Sequence, residues 1–282
     1  MIPAAFDYQA PSTVEEALHA LASSDDAKVL AGGQSLLPVL RMRLAAPELI
    51  VDLGKIDELR GVRDAGDAIV IGSMTPHEVV LGDPLIAEHA ALLAKATATV
   101  ADPQVRRRGT FGGSLAHADP AADLPACALA MNAEFEIAGS EGRRSVAATD
   151  FFVDIFTTAI GDDEILTEIR IPKHTGWGAH YEKFVRTAQQ WPIVAVAATV
   201  HVVGGSIVEA HVALANMGST PVRSQAVERA LVGIAPTDEA IRAAVAGIAE
   251  GTNPPTDVQG DDDYRRHLAS VLARRAVLAA AS

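Results

Sequence analysis

The chain has 282 residues, a formal net charge of −13 at pH 7, 49% hydrophobic residues and only 4% aromatics. That length and apolar content hold two domains with cores built mainly of Ala, Val, Leu and Ile, and they argue against disorder. The acidic balance argues against nucleic acid as a partner, since a phosphate backbone needs a basic face.

The elements follow in chain order. Val14, Ala17, Leu18 and Leu21 recur at helical spacing behind Ser12 and Thr13, which are competent caps, so a helix is predicted over 13–21. A short strand over 28–31 runs into Ala31-Gly32-Gly33-Gln34-Ser35. A helix over 35–44 follows, with Pro38 tolerable only in its first turn. Strands are predicted over 49–53 and 68–71, and helices over 75–80 and 85–100. Gly109-Thr110-Phe111-Gly112-Gly113-Ser114 comes next, and then a helix to about Met131 with Asp123 as its cap. Strands over 134–138 and 165–171 complete an alternation typical of α/β architecture.

Pro172 to Gly178 reads as a domain junction. Beyond it the pattern changes. A strand over 180–186 precedes two valine-rich runs, 193–203 and 207–214, parted by Gly204-Gly205-Ser206, which is a hairpin signal. Helices over 224–232, 238–250 and 264–281 close the chain. The amino terminus lacks the basic and apolar regions of a signal peptide, and no run approaches the ~20 apolar residues of a membrane span. A cytoplasmic protein is expected.

Chemistry concentrates in the two Gly-Gly segments, about eighty residues apart. Paired glycines lack Cβ atoms, so the backbone can approach a ligand and turn its N–H groups inward. Two such turns suit one long, doubly charged ligand such as a dinucleotide; the alternative at each is an ordinary tight turn. Cys127, the lone cysteine, sits in an apolar run and reads as a buried, inert thiol. One cysteine cannot bind a four-thiolate iron–sulfur cluster or a structural zinc, and the nine histidines show no ligand spacing. No metal is expected in this chain. Arg106-Arg107-Arg108 reads mainly as a solvated basic patch.

These residues carry a family resemblance. Ala31-Gly32-Gly33-Gln34-Ser35-Leu36-Leu37-Pro38, with Arg43-Leu44, Pro47 and Val51-Asp52-Leu53, resembles the first flavin-binding segment of the FAD-carrying subunits of molybdenum hydroxylases, the xanthine dehydrogenase family. Thr110-Phe111-Gly112-Gly113-Ser114, Asp119-Pro120, Asp123 and Pro125 resemble the second. Gly161 to Leu166, Ile169-Ile171-Pro172 and Tyr181-Glu182-Lys183 continue the match along nearly the whole chain. The branch it most resembles is the medium subunits of aerobic carbon monoxide dehydrogenases. Gln34 stands where many relatives have His, and Phe111 where many have Ile or Val.

The resemblance implies an α+β fold. A two-lobed FAD-binding domain of the vanillyl-alcohol-oxidase type would span 1–175, with lobes of about 1–55 and 56–175. A C-terminal domain of antiparallel strands and helices would span 176–282. It implies FAD held by Ala31, Gly32, Gly33, Gln34 and Ser35 on one side and by Thr110, Gly112, Gly113 and Ser114 on the other. Asp119 and Asp123 would meet ribose or ribityl hydroxyls, Leu166 and Lys183 would line the flavin, and Trp191 would stack near its ring. It further implies a large partner carrying molybdenum–molybdopterin (with copper in a carbon monoxide dehydrogenase), a small partner carrying [2Fe–2S] clusters, and a dimer of heterotrimers. Electrons would leave to a quinone or another acceptor, from a complex resting on the inner face of the membrane. Rival readings are the flavoprotein subunit of a xanthine, nicotine or aldehyde dehydrogenase, and a non-redox scaffold that keeps the fold.

Overall fold

The computed structural model describes residues 2–282. The N-terminal region is a three-stranded parallel sheet in the order β1-β3-β2, made of β1 (Asp7–Gln9), β2 (Ala27–Leu30) and β3 (Leu49–Asp52). Helix α1 (Val14–Leu21) joins β1 to β2, and α2 (Leu36–Met42) joins β2 to β3, as parallel pairing requires of a crossover. The Thr13 hydroxyl caps α1 by accepting from Glu16 N, and Val14, Ala17, Ala20 and Leu21 face the sheet.

A five-stranded antiparallel sheet follows, in the order β4-β5-β10-β6-β7. Its strands are β4 (Val62–Asp64), β5 (Ala68–Gly72), β6 (Glu134–Gly139), β7 (Gly142–Ala147) and, after β8 (Phe152–Asp154) and β9 (Thr157–Thr158), β10 (Ile165–Pro172). Between β5 and β6 the chain makes α3 (His77–Gly82), α4 (Pro84–His89), α5 (Ala91–Ala98), α6 (Pro103–Arg108), α7 (Phe111–His117) and α8 (Asp123–Ala130); α9 (Ala148–Phe151) follows β7. The helix expected over 85–100 is two helices, broken at Ala90 (φ −141°, ψ 48°). The arginine run forms the second half of α6, with Arg107 and Arg108 exposed.

A four-stranded antiparallel sheet completes the chain: β11 (Gly178–Phe184), β12 (Val194–Val203), β13 (Ser206–Ala215) and β14 (Val222–Arg223), in that order, with α10 (Gln225–Leu231), α11 (Asp238–Ala244) and α12 (Asp262–Ala280). Val203 pairs with Ser206 across Gly204 (φ 59°) and Gly205 (φ 81°), the two left-handed positions that a two-residue hairpin turn demands. The two central strands, β12 and β13, are covered on both faces, so they are largely apolar rather than alternating, whereas the edge strand β11 alternates. Ala195, Ala197, Ala213 and Ala215 join the core of the preceding region, around α5 and α8. Val194, Val196, Val200 and Leu214 pack under α12 with Leu268, Leu272 and Val277.

Small residues set how closely α12 approaches. A Cβ on Gly178 would lie 1.6 Å from the Ala280 carbonyl oxygen, so β11 meets the end of α12 backbone to backbone. A Cβ on Gly82 would meet nothing. Gly178→Ala is therefore expected to destabilise the protein by about 2–3 kcal/mol through overpacking, and Gly82→Ala to stay within about 0.5 kcal/mol. Urea unfolding midpoints of the two variants check this.

Candidate functional site

A cleft of about 780 Å³ gathers residues from all four sheets, including the small β8-β9 pair. Ala31, Gly32, Gly33, Gln34 and Ser35 line it where β2 passes into α2. Thr110, Gly112, Gly113 and Ser114 line it from the start of α7, and Asp119 and Asp123 from the approach to α8. Leu166 comes from β10, Lys183 from β11, and Trp191 from the loop after β11. Every residue that the resemblance assigns to FAD thus lies on this one surface.

The glycines serve a purpose the sequence did not reveal. A Cβ on Gly32 would lie 2.2 Å from the Arg108 carbonyl oxygen and 2.6 Å from Gly109 Cα. One on Gly112 would lie 2.5 Å from Ser73 Cβ, and one on Gly113 2.6 Å from Thr110 Oγ1 and 3.2 Å from Ala31 Cβ. The space that these missing side chains leave is filled by protein, so the two segments pack against each other. Gly33 differs: its φ of 75° is left-handed.

The second glycine segment is also not a turn. Thr110 caps α7, and Gly112 and Gly113 sit in the helix's first turn. Their amides are engaged internally: Gly112 N donates to Ser73 O (2.9 Å), Gly113 N to Thr110 Oγ1 (3.1 Å) and Ser114 N to Thr110 O (3.1 Å). The first segment is the opposite case. Among the described residues, the amides of Gly32, Gly33, Gln34 and Ser35 have no protein acceptor. A run of unpaired N–H groups around a left-handed residue is an anion-binding concavity. It fits a pyrophosphate, and only the first segment offers it.

Asp123 is not the cap of α8; Ala122 holds that place, and Asp123 is the first helical residue. Its carboxylate turns into the protein toward β11. Oδ1 accepts from the Tyr181 hydroxyl (2.7 Å) and Oδ2 from Lys183 Nζ (2.8 Å), which also donates to Thr99 O (3.1 Å). Both side chains of the ion pair are 9% exposed. Burial pushes the Asp123 carboxyl above the usual carboxylate range, while Lys183 and Tyr181 pull it back. Each carboxylate oxygen keeps a second lone pair for a ligand hydroxyl. Asp119 Oδ1 accepts from Ala121 N (2.9 Å), which shapes the turn before α8. Cys127 is fully buried and its thiol is pushed well up by burial, so it is inert.

Two lining histidines escaped the sequence reading. His77 is buried, with Nδ1 unpartnered, and burial together with the nearby Arg106 lowers its pKa to about 4. His117 stands one helical turn after Ser114 on α7, its ring 4.9 Å from that of Phe156. Treating Gly112-Gly113 as a helix start would have placed Ser114 and His117 on one face.

Two families match in tandem. Residues 4–174 match the FAD binding domain in molybdopterin dehydrogenase, and residues 179–280 the CO dehydrogenase flavoprotein C-terminal domain. The chain belongs to the FAD-binding subunits of the molybdopterin dehydrogenases, and the two-domain FAD-binding fold that the resemblance implied is the one observed. It is 39% identical to the carbon monoxide dehydrogenase medium chain of Hydrogenophaga pseudoflava, over 99% of this chain and 98% of that one. The structure of carbon monoxide dehydrogenase from the same organism, in a form lacking the Mo-pyranopterin moiety of the molybdenum cofactor, superimposes with a TM-score of 0.96 at 41% identity, covering 99% of this chain and 98% of that one. The nicotine 6-hydroxylase medium subunit of Paenarthrobacter nicotinovorans is 35% identical over 98% of this chain and 97% of its own. No helix among the described residues is long and apolar enough to cross a membrane.

The Asp123–Lys183 pair yields a stability test. Removing one partner strands the other charge in a buried site, at a cost of about 3–5 kcal/mol. Asp123→Ala and Lys183→Met should each destabilise the FAD-free protein by that order, and the double variant by clearly less than their sum. A double-mutant cycle by urea unfolding measures the coupling.

Proposed function

We propose that this chain is the medium subunit of an aerobic carbon monoxide dehydrogenase, divided near residue 175 into an FAD domain and a C-terminal flavoprotein domain. The observation that carries the flavin assignment is the cleft itself, in which four unpaired amides share a surface with a buried, hydrogen-bonded Lys183–Asp123 pair. Full-length similarity to the Hydrogenophaga chain supports the choice of carbon monoxide.

When bound, FAD supplies a two-electron store that fills from iron–sulfur clusters and empties to an acceptor, with a quinone as the proposed acceptor. The chain's own residues bind and tune it. The amides of Gly32 to Ser35, beside Ala31, hold the pyrophosphate. Thr110, Gly112, Gly113 and Ser114 form the second wall, with the Ser114 hydroxyl as a donor. Asp119 and Asp123 accept from sugar and ribityl hydroxyls. Lys183 would supply positive charge to stabilise the reduced flavin, Leu166 would exclude water, and Trp191 would shield the ring. No residue here acts as acid, base or nucleophile on carbon monoxide. By similarity to these relatives, molybdenum with copper is assigned to a large partner and the [2Fe–2S] clusters to a small one; the single cysteine of this chain is buried and cannot supply the thiolates of a cluster. A dimer of heterotrimers, resting peripherally on the inner membrane face, is the proposed assembly.

Gly33→Val tests the cradle. A β-branched residue resists a φ of 75° and would turn the amides away. The expected outcome is loss of most of the FAD, measured by flavin absorbance, with the circular dichroism of the folded chain retained; full flavin occupancy would refute the cradle.

The electron route has its own test. Carbon monoxide added anaerobically should leave the flavin absorbance of the isolated, FAD-loaded subunit unchanged and bleach it in the assembled complex. Bleaching of the lone subunit would refute the division of labour. Bleaching of the complex by an N-heterocycle or an aldehyde, and not by carbon monoxide, would keep the redox role and replace the substrate.

A further inference from the structure

The loop over 185–193 carries Trp191 to the cleft and joins β11 to β12. Ile193 N closes it by donating to Phe184 O at 2.8 Å. Among the described residues, the stretch from Val185 to Trp191 makes no hydrogen bond to the rest of the chain, and Trp191 is 62% exposed. The place of the indole is therefore set at the root of the loop, one residue away.

Two side chains grip that root. Asn216 Nδ2 donates to Pro192 O at 2.9 Å and to Ile193 O at 3.3 Å. Arg265, fully buried, donates through Nη1 to Ile193 O, and through Nη2 to both Asp257 carboxylate oxygens at 2.8 Å. The Asn216 backbone amide reaches the other way and donates to Pro120 O at 2.8 Å, within the Asp119–Asp123 turn. One residue thus ties the Trp191 loop to the turn that presents both aspartates. The position restricts what can serve there. Its φ is 60°, which Asn tolerates better than most residues, and the grip needs an amide with two N–H donors.

We propose that Asn216 is a positioning residue for the flavin site, acting with Arg265 to hold the Trp191 loop at a fixed distance from the Asp119–Asp123 turn. Its role toward the flavin rests on the reading that FAD occupies this cleft beside Trp191. Its role as a strut rests on the protein's own hydrogen bonds.

The test uses the full chain, with and without FAD. Asn216→Gly keeps the left-handed backbone and removes the donors, whereas Asn216→Asp keeps the shape and opposes the carbonyls with a carboxylate. Trp191→Phe reports the indole's own effect, since an indole against a flavin quenches its emission. Trp191→Phe should raise flavin emission severalfold. Asn216→Gly and Asn216→Asp should raise it similarly at unchanged flavin content, and Trp191→Phe combined with Asn216→Gly should be no brighter than Trp191→Phe alone. In the FAD-free chain, both Asn216 variants should speed hydrogen exchange at the Ile193 amide by about tenfold or more while the interior of β12 keeps its protection. Bright Trp191→Phe with dark Asn216 variants and unchanged Ile193 exchange would overturn the proposal. So would faster exchange throughout β12 and β13, which would make Asn216 an ordinary support of the sheet. An unaltered flavin signal in Trp191→Phe would instead refute the Trp191 contact, and the exchange measured without FAD would still decide the strut.

Discussion

The site depends on the close passage of two backbone segments that are far apart in sequence. Gly32 lies against the Arg108 carbonyl and Gly109, and Gly113 lies against Ala31. Any side chain at Gly32 would force the segments apart, because the atoms it would meet are backbone and cannot rotate away. Contact here leaves the α7 amides bonded within their own neighbourhood and those of Gly32 to Ser35 unbonded. The two glycine pairs look alike in sequence and differ in role: one supplies donors, and the other allows the wall to come near enough for those donors to line a cleft.

A second constraint ties the C-terminal sheet to that cleft. Alanines on one face of β12 and β13 bring the sheet close to α8 and α5. At that distance Tyr181 and Lys183 of β11 reach Asp123. The buried charge pair is weak support for stability in itself, since desolvation offsets much of its attraction. It does fix orientation, because both partners must meet or leave a charge stranded. The same closeness lets Asn216, at the end of β13, touch both the Trp191 loop and the turn before α8. The shape of the cleft and the packing of the C-terminal sheet are thus carried by the same few side chains.

Much was legible in the residues. Helices α1, α2 and α12, strands β2, β3, β5, β6 and β10, and the β12–β13 hairpin follow from apolar periodicity, caps and the Gly-Gly turn, all of which are local signals. Strands β1, β4, β7, β8, β9 and β14 were missed. The exposed, charged β7 (Gly-Arg-Arg-Ser-Val-Ala) has no buried face to give it a period, and the other five, of two or three residues each, are too short to show one. Helix α6 was hidden by its run of arginines, and the break at Ala90 by continuous helical composition on both sides.

By itself the sequence determined the order and kind of most elements, the absence of a second thiol, and the two glycine segments whose flanks resemble a flavoprotein family. Those properties are written in neighbouring residues and their spacing. Tertiary structure alone decided which amides remain free, that Asp123 faces a lysine and a tyrosine rather than capping its helix, and that His77 and His117 join the cleft. Each of these turns on which atom a group meets across the fold. Hydrogen-bond partners and buried charges are chosen by segments tens of residues apart, and no local pattern records that meeting.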